Sequence, residues 1–147
     1  MTNVNWGRFI LGALIVAAIC FVSDGFLHQR VVTEQWQAVI AALGATVPEH
    51  AGFSMIWFVV FEAGRGFLAM YVYVLLRPRL GPGVKTATWA GVVTWVAFSL
   101  TGPAQFIPLG FYSESLWITV GLYQLVFTII AAIMGAAPYS ERSQAAH

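Results

Sequence analysis

Residues 51–76 read AGFSMIWFVVFEAGRGFLAMYVYVLL, with Glu62 and Arg65 as the only charged side chains in the run. A helix needs about 20 apolar residues to cross a bilayer core of about 30 Å. This stretch exceeds that length, so it reads as a membrane span. An ionisable side chain at such depth is costly and marks either a site or a packing device. Glu62 and Arg65 are three residues apart and share one helix face.

The composition agrees with a chain immersed in lipid. Charged residues make up 9% of the 147, against roughly 25% in soluble domains. The fold class that follows is an all-α membrane protein, a single integral domain over residues 1–147. Working outward from residues 51–76, transmembrane helices are expected at about 6–26, 52–76, 86–106 and 115–137, forming a bundle of four. A short amphipathic surface helix is expected at about 31–43. Val31, Val32, Trp36, Val39, Ile40 and Leu43 recur there at helical spacing between Arg30, Glu34, Gln35 and Gln37. Gly44 and Pro48 should end it.

Connections are legible too. Pro78 is expected to stop the second span, Gly81-Pro82-Gly83 to form a tight turn, and Thr86 to cap the third span. The third span is the short one. It either ends near Leu100 or continues as a kinked helix through Gly102-Pro103 toward Phe106. Arg8 followed by the apolar Phe9–Val22 has the outline of a signal peptide, but Ser23-Asp24-Gly25 supplies no A-x-A site. Ile19 also stands where a lipoprotein box needs a small residue before Cys20, so an uncleaved first helix is expected.

Basic residues set the expected orientation. Arg8, Arg77, Arg79, Lys85 and Arg142 fall on one side of the four spans and Arg30 alone on the other. By the positive-inside rule both termini are expected in the cytoplasm. Trp6, Trp36, Trp89, Trp117, Tyr112 and Tyr139 lie near span ends, where an aromatic belt is ordinary. Ala13/Ala17, Ala87/Gly91 and Ala131/Gly135 are small pairs at four-residue spacing, which let membrane helices approach closely. Gly64 and Gly66, flanking Arg65, are expected to permit the same.

Two groups of residues could carry chemistry. The first is a midplane polar layer of Glu62, Arg65, Thr94, Tyr123 and Gln124, serving as a ligand site or as a structural ion pair with interhelical hydrogen bonds. A cation beside Glu62 favours its ionised form, which argues for packing over a proton relay. The second is an outward metal site of mixed ligands from Asp24, His28, Glu49, His50 and Glu114. Haem between His28 and His50 is disfavoured because neither lies within a span. Cys20 is the only cysteine, so no internal disulfide and no CxxC motif exists. The net charge of +1 gives no nucleic-acid footprint. The loop at 81–83 is no P-loop, since neither GKS nor GKT follows.

Asn5-Trp6-Gly7-Arg8, Asp24-Gly25 and the loop RPRLGPGVKTA at 77–87 together resemble a group of small, uncharacterised bacterial inner-membrane proteins. The resemblance implies four helices in a bacterial cytoplasmic membrane and no activity or cofactor. The function expected first is a non-enzymatic accessory or scaffolding subunit, associated with itself or with a larger membrane complex. The alternative is a small solute- or ion-binding protein or transporter with its site around Glu62 and Arg65. A membrane enzyme using Asp24, His28 and Glu114 ranks last.

Overall fold

The computed structural model describes residues 4–44 and 51–139. Every element among them is helical, and no strand occurs among the described residues. The order is α1 (Trp6–Phe26), a first π turn (Leu27–Val31), α2 (Thr33–Ala42), α3 (Ala51–Leu80), α4 (Val84–Trp95), a second π turn (Val96–Leu100), α5 (Thr101–Ala104) and α6 (Glu114–Ala136). The helical stretches Trp6–Val31, Met55–Leu80 and Glu114–Ala136 are each long and apolar enough to cross a membrane. Leu14, Val22, Leu122 and Met134 are among the large apolar side chains left more than half exposed on them, an arrangement suited to lipid and not to water.

α1 packs on α3 and α6, and α4 packs on the same two helices. Small residues sit at these crossings. A β-carbon added to Gly66 would collide with the Ala13 carbonyl oxygen, and one on Gly12 with the Gly135 carbonyl oxygen. A β-carbon on Gly91 would lie 2.8 Å from Ile129 Cα. Between lipid-bathed helices, close van der Waals packing is a main source of association, and missing side chains allow it. Gly64 plays no such part: its nearest neighbour would be Phe98 Cζ at 3.6 Å, an ordinary contact. Only one of the two glycines beside Arg65 therefore permits a close crossing.

Two sequence expectations about helix ends are corrected. Pro78 does not stop α3, which runs on to Leu80. Proline forfeits one backbone hydrogen bond, but the ladder resumes with Gly81 N–H donating to Arg77 O at 2.9 Å. The stop falls on Gly81, whose φ of +80° suits glycine and disfavours other residues. Thr86 does not cap α4. Gly83 occupies the cap position, and Thr86 Oγ1 donates instead to Gly81 O at 2.6 Å, closing the turn from inside. Finally, α1 ends at Phe26 as expected, but the membrane-length stretch continues through the π turn to Val31.

The Gly102-Pro103 question resolves into a continuous helical path. α4, the second π turn and α5 follow one another without a gap from Val84 to Ala104. Pro103 lacks an N–H and its ring crowds the carbonyl four residues earlier, that of Ser99. The backbone meets this by widening: the Thr101 N–H bonds to Val96 O, and Thr101 Oγ1 donates to the same carbonyl at 3.1 Å. Insertions of this kind recur at functional sites. Trp95 Nε1 donating to Gly121 O at 2.8 Å and Trp117 Nε1 donating to Leu100 O at 3.3 Å then fasten this segment to α6.

α2 lies over one end of the packed helices. Val32 and Val39 are buried against Leu27, Leu116 and Val120, with Tyr112 and Tyr123 beside them. At α2's far end Gly44 adopts φ +64°. α6 opens on Ser113, whose Oγ accepts from Leu116 N–H at 3.2 Å, and Glu114 occupies its first turn, where a carboxylate complements the helix dipole. Cys20 is fully buried among Val16, Ala69 and Ala131 and acts as a small apolar filler.

Candidate functional site

Arg65 is 1% exposed and is the largest fully buried side chain among the described residues. Its Nη1 donates to Asp24 Oδ2 at 3.0 Å and to both Glu62 oxygens, Oε2 at 3.1 Å and Oε1 at 3.3 Å. Its Nη2 donates to Ser99 Oγ at 2.7 Å. Gln124 Nε2 donates to the same Asp24 Oδ2 at 2.7 Å. One guanidinium thus gathers groups from α1, α3, the second π turn and α6. The ring of Phe61 packs 5.9 Å from the guanidinium carbon and completes the enclosure.

Each position follows from local structure. Glu62 and Arg65 share a face of α3 because they are three residues apart. The close crossing at Gly66 brings α1 against that face, and Asp24 comes with it. Ser99 is aimed inward from the π turn that Pro103 imposes. The cluster lies well inside the helices, about 10 Å from Val31 and about 15 Å from Glu114 at 1.5 Å per residue.

Of the five residues expected in the polar layer, Glu62 and Arg65 meet directly, and Gln124 joins them through Asp24 Oδ2. Tyr123 is adjacent, its hydroxyl donating to Ser23 O at 3.2 Å and its ring stacked on Phe127 at 4.5 Å. Thr94 is fully buried, but its hydroxyl has no hydrogen-bond partner in the structure and joins neither carboxylate. Asp24 and Ser99 complete the cluster without having been expected there. Asp24 was read as an outer residue because the span was taken to end at Phe26. The added π turn places it deeper. The signal for Ser99 was present in the sequence, four residues before a proline within a span.

Of the residues expected to hold a metal, Asp24, His28 and Glu114 are among the described residues and form no metal-binding group there. The Asp24 carboxylate is engaged by Arg65 and Gln124. His28 Nδ1 bonds to the Asp24 backbone carbonyl at 2.8 Å, and its ring meets Trp36 edge to face at 4.6 Å. Glu114 is exposed at the start of α6. Glu49 and His50 lie outside the described residues. Among the described residues no group of three or more His, Cys, Asp and Glu stands close enough to hold an ion.

No protein-family model, curated protein or solved structure matches the chain. The site must therefore be read from its own chemistry.

That chemistry is two carboxylates on one buried guanidinium. Arg65 donates through fixed, delocalised N–H groups and stays protonated, so it anchors the cluster. Asp24 Oδ1 is buried and accepts no hydrogen bond, although Oδ2 of the same carboxylate accepts two. Ser99 supplies the one neutral partner of Arg65. Hydrogen bonds to charged groups contribute about 1.5–3 kcal/mol, so Ser99→Ala is expected to lower stability by that order. A thermal unfolding series in detergent checks this, with Ser113→Ala at the exposed α6 cap as the milder comparison.

Proposed function

We propose that the chain is a four-crossing protein of a bacterial cytoplasmic membrane that binds and moves a monovalent cation at the Asp24–Glu62–Arg65 cluster. Support for a fourth crossing comes from the unbroken helical path over 84–104, about 31 Å long at 1.5 Å per residue. Support for cytoplasmic termini comes from the basic residues Arg8, Arg77, Arg79 and Lys85, which stand at the end of the helices opposite α2.

The observation that carries the reading is the charge balance. Asp24 and Glu62 are both ion-paired to Arg65. With both carboxylates ionised, the cluster has a net charge of −1 inside an apolar medium. A structural pair needs one carboxylate per guanidinium, and a surplus buried charge is costly unless neutralised. A proton or an alkali ion completes the balance. An ionisable surplus on helices that cross a membrane is the usual mark of an ion path.

Glu62→Gln separates this reading from a packing role. It leaves the Asp24–Arg65 pair and the Gln124 bond in place and brings the cluster to neutrality. The expected result is a variant at least as stable as the parent that no longer dissipates an imposed proton, sodium or potassium gradient in proteoliposomes. A destabilised Glu62→Gln, together with a parent protein that carries none of the three ions, overturns the proposal.

A second reading, an accessory or scaffolding subunit, is favoured by one feature. From Met55 to Val60 every side chain of α3 is exposed, Trp57 to 63%, so this part of the helix is left uncovered by the described residues. A photoreactive residue at Trp57 that crosslinks to a defined protein in the native membrane supports this reading. Labelling of lipid alone counts against it.

A further inference from the structure

We infer that the cation is a proton, shared between the carboxyl groups of Asp24 and Glu62 and exchangeable with water. The inference deepens the reading above and rests on it.

Oδ2 of Asp24 and Oε2 of Glu62 lie 3.0 and 3.1 Å from the same nitrogen, Arg65 Nη1. Two carboxylates that approach one nitrogen so closely repel each other, and one of them is relieved by taking a proton. The two groups form a carboxyl–carboxylate pair resting on a fixed positive charge.

Nη1 serves both carboxylates, Nη2 is directed to Ser99, and the Gln124 amide is directed to Asp24 Oδ2. Nothing donates to Asp24 Oδ1, which is buried. An unsatisfied buried acceptor is unfavourable. Arg65 Nε is also buried without a partner, so its N–H is not directed at this oxygen, and a proton on the Glu62 carboxyl group supplies an O–H that can donate to the Asp24 carboxylate.

An alkali or divalent ion needs several oxygen ligands arranged around it. Here both carboxylates are already turned onto a guanidinium, and among the described residues no third acidic, histidine or cysteine ligand joins them. The groups facing the pair are Arg65 on α3, Cys20 on α1, Ser99 on the second π turn, and Gln124 and Tyr123 on α6. Among these Arg65 is the only cation.

The step itself is simple. An O–H bond of hydronium breaks as its proton joins a carboxylate lone pair and a water molecule is released; in the reverse step the carboxyl O–H bond breaks and a water molecule takes the proton away. The Asp24 side chain retains 14% exposure against 6% for Glu62, so it is the more accessible member of the pair.

The test is infrared spectroscopy of the full chain in nanodiscs at neutral pH. The parent is expected to show a protonated-carboxyl band equivalent to one group per chain, shifting on exchange into D2O. Glu62→Gln and Asp24→Asn are each expected to abolish it, because the remaining carboxylate then pairs alone with Arg65 and ionises. If the parent lacks the band but binds sodium or potassium one to one, the proton inference falls and the cation site stands. If the parent lacks the band and binds no ion, both fall. Should Asp24→Asn fail to fold, Glu62→Gln still decides, since it keeps the Asp24–Arg65 pair.

Discussion

Arg65→Met is expected to cost the protein its fold at neutral pH. Methionine fills much of the space but removes the charge, leaving Asp24 and Glu62 facing each other with Gln124 as the remaining donor. Removing one partner of a buried ion pair costs about 3–5 kcal/mol, because an uncompensated charge stays behind. Here two carboxylates are left, so the upper end of that range is expected. Total stabilities of proteins are of the order of 5–15 kcal/mol, so a loss of this size depletes the folded population. Acid should rescue the variant, since protonating both carboxyl groups removes the repulsion, and the rescue should fade as pH rises. Size-exclusion profiles in detergent across pH, together with a triple variant of Asp24→Asn, Glu62→Gln and Arg65→Met, check the assignment. The triple variant should recover most of the folded material. Apolar replacement of Glu62 and Arg65 alone should not, because Asp24 would remain unpaired.

Gly66→Val is the second large effect. A β-carbon there collides with the Ala13 carbonyl oxygen, and the Ala13 carbonyl carbon and Ala17 nitrogen lie 3.1 Å away. These are backbone atoms of α1, which cannot rotate aside as a side chain can. The two helices must separate, at an overpacking cost of about 1–3 kcal/mol or more. Separation also lengthens the Asp24–Arg65 pair, because Arg65 is the next residue along α3. Loss of ion handling and of thermal stability should therefore appear together. Gly64→Ala is the contrast: its β-carbon meets only the edge of Phe98, so the change should be neutral, or slightly stabilising through helix propensity. A Gly64→Ala effect as large as that of Gly66→Val would refute this account of the crossing.

Much of the fold was legible because lipid imposes a simple rule. Long apolar runs must form helices to satisfy their own backbone groups, and the charged pair within residues 51–76 stood out against that background. The small pairs also read correctly as contact positions where they could be checked: Ala13 and Ala17 line the Gly66 crossing, and Gly91 and Gly135 meet neighbouring helices. Helix ends read less well. Pro78 signalled a stop that its neighbours overrode, and Thr86 signalled a cap that Gly83 supplied. Such ends depend on which backbone groups find partners, and local residue preference decides that only weakly.

The site divides along the same line. The sequence by itself determined that Glu62 and Arg65 share a face within a membrane-length helix, because three-residue spacing and apolar content are local properties. Tertiary structure alone decided that Arg65 serves two carboxylates. Asp24 lies 41 residues away on another helix, and its reach depends on the close approach of α1 that the missing side chain at Gly66 allows. Read alone, Glu62 and Arg65 neutralise each other. With Asp24 in place the same pair becomes a cluster short of one positive charge, since charge balance in an apolar medium is set by every group brought within reach and not by neighbours in the chain.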